Sequence, residues 1–220
     1  MTRKDYLIPA GLIALSLVPG IAGTARLVEL ASHAPVTTSN ARFFAMPLPV
    51  MLHIPAAILY SIVGALQFSP GLRRQARGWH RMSGRALLPL GVLVALSGLW
   101  MTLAYPWPAG DGVMVFVEWL VVGLVMLDAV IAGTIAIVRH DYAAHGEWMT
   151  HAYALGLGAG TQVLTHLPWF ILVDMHPGEL ARGVMMGSAW LINALVAEWV
   201  IRRQRRPRHR RVLTTAAVAV

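Results

Sequence analysis

Three histidines mark one apolar, glycine-rich stretch, HGEWMTHAYALGLGAGTQVLTH: His145 and His151 near its start and His166 at its end. An imidazole can ligate a metal, relay a proton or hydrogen-bond a neighbour. On a helix, the step from His151 to His166 rises about 22 Å and returns to within about 60° of the same face. One imidazole then lies near each edge of a hydrocarbon layer about 30 Å thick. Gly156, Gly158 and Gly160 lie between them. Residues this small admit either a closely packed neighbouring helix or a flat ring system.

Two further histidines fall at the same two depths. His53 matches His166 on one side, and His80 matches His145 and His151 on the other. Two levels of imidazole on different helices are what a bundle needs to hold one or two b-type haems by bis-histidine ligation. His53, His80, His145 and His166 are then the candidate iron ligands, with His151 beside the inner pair. Arg81 and Arg85 are placed to meet haem propionates. Glu118 and Asp128 could hydrogen-bond the far ring nitrogens from behind. The chain has no cysteine, which excludes disulfides, iron–sulfur clusters, thiolate catalysis and covalent haem attachment.

Plainer readings stand beside this one. His80 and His145 lie near water, where a histidine costs little, and Asp128 could pair with Asn193 as structural glue. The glycines and the methionines could serve packing alone. A proton-coupled transporter could use Asp128, Glu118 and the histidines as a relay, and a non-catalytic component of a larger membrane complex needs none of them.

These residues require a lipid-facing scaffold. The 220-residue chain is 57% hydrophobic and 13% charged, with mean hydropathy +0.61, too few charges to cover a soluble surface. Apolar blocks at Tyr6–Gly23, Pro47–Phe68, Arg85–Tyr105, Gly112–Val138, Trp148–Val173 and Leu180–Ile201 predict an all-α bundle of six transmembrane helices. If the N-terminus is cytoplasmic, fifteen of the 18 Lys and Arg residues fall on the inner side, leaving Arg26, Arg42 and Arg182 outside. That bias predicts a bacterial inner-membrane protein with both termini cytoplasmic. Residues 1–201 form one membrane domain and 202–220 a basic tail. The tail RRQRRPRHRR directly follows a span, so it is expected to meet anionic lipid headgroups and not nucleic acid. A quinone or a soluble redox protein is the expected partner of a haem carrier.

The segment HIPAAILYSIVGALQFSPGLRRQARGWHRMSGR, followed later by HGEWM, resembles a widespread family of bacterial multi-pass membrane proteins known only as a domain of unknown function. The resemblance runs from about Leu52 to Tyr153. It rests on His53; on His80, Arg81, Gly84 and Arg85, which form His-Arg-x-x-Gly-Arg; and on His145, Trp148 and Met149, which form His-x-x-Trp-Met. The family usually has Arg where this chain has His151, which favours His145 as the partner of His80. The resemblance implies a membrane fold and brings no established activity.

Overall fold

The computed structural model describes residues 3–173 and 175–218, with side chains given as far as Arg205 except that of Lys4. Arg206, Arg208, Arg210 and Arg211 of the expected basic tail lie outside the described side chains. The described residues form helices and connecting turns, with no strand among them: α1 (Arg3–Ala31), α2 (Ala41–Ala45), α3 (Pro47–Gln67), α4 (Pro70–Gln75), α5 (Arg77–Ala104), α6 (Val113–Val138), α7 (Tyr142–Gly156), α8 (Gly158–Leu172) and α9 (Glu179–Val218). Five of these are long and apolar enough to cross a membrane: α1, α3, α5, α6 and the Glu179–Arg205 part of α9.

The remaining expected span, Trp148–Val173, is divided. It starts earlier, at Tyr142, and breaks at Leu157 into α7 and α8, each 15 residues long. Alternating glycines at 156, 158 and 160 weaken the helix there, each by about 1 kcal/mol relative to Ala. The Gly160 N–H bonds back only three residues, to the Leu157 carbonyl at 3.0 Å, which tightens the turn. Asn193 of α9 bridges the break. Its Nδ2 donates to the Ala154 carbonyl at 2.9 Å, and Thr161 Oγ1 donates to its Oδ1 at 2.8 Å. Asn193 is therefore satisfied without Asp128.

The glycines serve packing. Gly156 faces Tyr60 and Met126, Gly158 lies under the Trp190 indole, and the Leu15 backbone carbonyl comes up against Gly160. Close packing, and not a flat ring, fills the three gaps. Around them α3 packs on α1 and α5, α5 on α6, and α6 on α7 and α9, while α8 packs mainly on α9 and α1. The buried centre gathers Tyr60, Leu87, Val94, Met126, Tyr153 and Leu157. Only 6% of the apolar window of α1 is buried, against 39% for α5, so α1 is peripheral. Asp5 ties its first turn down by accepting the Gly71 N–H at 2.6 Å from the start of α4.

Candidate functional site

At the end of the bundle that carries Asp5 and α4, two helices open in the same way. His80 is the fourth residue of α5 and His145 the fourth of α7. The link from α6 to α7 is only Arg139, His140 and Asp141, and the Asp141 side chain caps α7 by accepting the Ala144 N–H at 3.0 Å. The tight hairpin folds His145 back onto α6, with its Nδ1 at 2.8 Å from the Gly133 carbonyl. A carbonyl only accepts, so the imidazole donates from Nδ1, and in the neutral ring the lone pair is on Nε2. His80 is half-buried, with Arg73 and His145 within its electrostatic reach. Arg81 and Arg85 are exposed. The arginine beside His80 is thus Arg73, from the short α4.

His151 belongs to a different group. Its Nε2 lies 3.8 Å from Glu198 Oε2 on α9. Glu198 also accepts from Arg202 Nε at 2.6 Å, and Arg205 Nε donates to Glu147 at 2.7 Å. These exposed pairs join α7 to α9 at the solvent edge.

At the opposite end, His53 and His166 face different spaces. His53 is half-buried against α5, its Nδ1 at 3.0 Å from Ser97 Oγ. The Ser97 hydroxyl already donates to backbone carbonyls of its own helix, those of Leu93 and Val94. The bond therefore runs from His53 Nδ1–H to Ser97, and Nε2 again keeps its lone pair. His166 donates from Nδ1 to the Gln162 carbonyl one turn earlier, at 2.7 Å. Its ring lines a crevice of about 240 Å³ between α8 and α9, with Ala159, Gln162, Val163, Arg182 and Met186. Glu118 does not approach either histidine in the described contacts. It packs on Gly187 of α9, with Oε2 buried and without a partner among the described residues. Asp128 is exposed on α6.

Beyond the crevice, Arg182 Nε is bonded to the buried carboxylate of Asp111. Arg42 lies within electrostatic range of Asp111, Arg26 and Arg182. The three arginines that the sequence leaves on this side therefore share one corner. Burial holds the Arg42 guanidinium below its ordinary value; Asp111 opposes that shift and Arg26 adds to it. Nothing in the spacing of residues 26, 42, 111 and 182 announces this cluster. The rarity of basic residues on that side is the only signal of it. Arg73 is one of five arginines between residues 73 and 85, and only the turn at α4 singles it out.

Among the described residues no three His, Asp or Glu side chains converge as a metal cluster. A bis-histidine haem needs only two imidazoles. His53, His145 and His166 share the form suited to ligation, with Nδ1–H anchored to an oxygen and Nε2 bare. His145 lies within electrostatic range of His80, whereas His53 packs against Ser97 of α5 and His166 lines the crevice between α8 and α9.

Helices of this length and hydropathy, with apolar side chains left exposed along them, define a multi-pass membrane protein. The chain belongs to a family of predicted membrane proteins, DUF2306, whose profile matches residues 50–201. No curated protein and no solved structure matches it. The matched segment takes in α3 to the apolar part of α9 and leaves out α1 and α2.

Proposed function

We propose that the protein is a six-span bacterial inner-membrane redox protein, with α7 and α8 together forming the fifth span and both termini cytoplasmic. Its cofactor is a b-type haem at the cytoplasmic level, held between His80 and His145. The observation that carries this reading is the anchored imidazole of His145, with Nδ1 given to Gly133 and Nε2 bare, at the level of His80 from another helix. Arg73 supplies a cation for a propionate. The haem, when bound, supplies one-electron exchange. The chain's part is to fix the imidazole tautomer, exclude water with the α5–α6–α7 packing and set the polarity around the ring. The separate settings of His53 and His166 favour one haem over two, so electrons would pass at the inner face to a quinone or a soluble redox partner.

The test is the absorbance of full-length protein purified from haem-replete cells. A reduced-minus-oxidised spectrum of haem b is expected, lost in His80→Ala and kept in His140→Ala, an exposed histidine on the same side. A wild-type protein that stays colourless after haemin is added contradicts the reading. Topology is checked separately. Reporters placed at Arg139–Asp141 and at the C-terminus should read cytoplasmic, and one within Pro106–Gly110 external.

A second reading, a proton-coupled carrier, is favoured by the far end of the bundle. There a buried carboxyl oxygen of Glu118 without a described partner lies one helix away from a crevice lined by His166, Gln162 and Arg182. The break at Leu157 gives that region a discontinuous helix, a feature of many transporter sites.

A further inference from the structure

Asp128 is the one acidic side chain that α6 turns outward from the middle of its span. It lies about 22 Å along the helix from Val113 and about 15 Å from Val138, which puts it near the centre of the hydrocarbon layer. The opposite face of α6, through Met126, Ala129, Val130 and Gly133, is buried against the rest of the bundle. Asp128 is exposed, and no hydrogen bond or ion pair reaches it from the described residues. A carboxyl group in hydrocarbon without a partner is costly, so something outside this chain must answer it.

Its neighbours define the surface that such a partner would meet. Val121, Leu124, Asp128, Ile131 and Ile135 follow one another at alternating intervals of three and four residues. The four apolar members keep 46–51% of their surface exposed. This is the spacing that the seam of a left-handed helix pair requires, with a single polar residue in its middle. Copies of one membrane protein insert in the same orientation. A two-fold axis along the membrane normal then brings each seam residue to its own counterpart at the same depth. Apolar residues meet apolar ones, and Asp128 meets Asp128. Two carboxyl groups that share a proton satisfy each other, one as donor and one as acceptor. An apolar seam and a self-pairing polar group are both met by a second copy, whereas a basic partner would need to bring its own matching seam.

We propose that α6 is the interface of a homodimer, set in register by paired Asp128 carboxyl groups. The interface does not depend on whether haem is bound.

The chain has no cysteine, so any cysteine introduced is the only thiol. In full-length protein in native membranes, Leu124→Cys and Ile131→Cys are expected to give covalent dimers on mild oxidation. Leu195→Cys, on the exposed face of α9, should stay monomeric. Asp128→Asn, whose amide can also pair, should keep the dimer, and Asp128→Ala should weaken it about tenfold in dissociation constant. The proposal is overturned if both seam cysteines leave the chain monomeric, or if they capture a different protein. It is equally overturned by a dimer that is indifferent to Asp128→Ala.

Discussion

The two halves of the fifth span use the same residue type in opposite ways. In α7, His145 is clamped to the neighbouring helix α6, in a hairpin with a three-residue turn. In α8, His166 bonds only to its own preceding turn and lines an open crevice. α7 also gives Tyr153 to the buried centre of the bundle, where its hydroxyl donates to the Ser61 carbonyl at 2.8 Å. α8 instead leaves Leu164, Leu167 and Phe170 exposed. The difference teaches that a histidine's depth in the membrane does not decide its role. What surrounds each ring differs: a neighbouring helix, α6, holds His145, and only its own helix holds His166.

If that contrast is right, the junction between the halves should be the most sensitive point. Gly160→Ala pushes a methyl group against the Leu15 backbone carbonyl, which cannot rotate away as a side chain could. A loss on the order of 3 kcal/mol is expected in reversible detergent unfolding. Asn193→Ala removes the bridge across the break and strands the Thr161 hydroxyl and the Ala154 carbonyl. It should cost about 1–3 kcal/mol, read in the same assay. Tyr153→Phe deletes one hydrogen bond and leaves the ring packing intact, so about 1 kcal/mol is expected. Glu147→Gln breaks an exposed pair with Arg205 at the solvent edge and should leave the unfolding midpoint unchanged. A Glu147→Gln loss as large as that of Asn193→Ala would move the weight of the fold from the break to the rim and undo the contrast.

Much of the scaffold could be read from the sequence, because long apolar blocks have few alternatives in lipid. The apolar cores of α1, α3, α5, α6 and α9 fall where hydropathy puts them. Their polar ends do not. α1 runs on to Ala31 and α5 begins at Arg77, since a helix need not stop where lipid does. The break at Leu157 was foreshadowed by three alternating glycines, yet glycines in membrane helices more often mark close packing, and here they do both. For the site, depth along the sequence sorted the histidines into two levels. It could not say which way each ring faces. His151 turns to Glu198 and His53 to Ser97 because neighbouring helices supply those partners, and neighbours are a property of the bundle. Asp128 shows the same limit: its depth marked it as costly, and only the packing of α6 reveals that it points out of the chain.

The most direct measurement sets the two halves of the span against each other: haem b per protein, read from reduced-minus-oxidised absorbance, in His145→Ala and His166→Ala purified side by side. His145→Ala is expected to lose the haem and His166→Ala to retain the wild-type amount. Equal retention in both variants, or loss in His166→Ala alone, would contradict it.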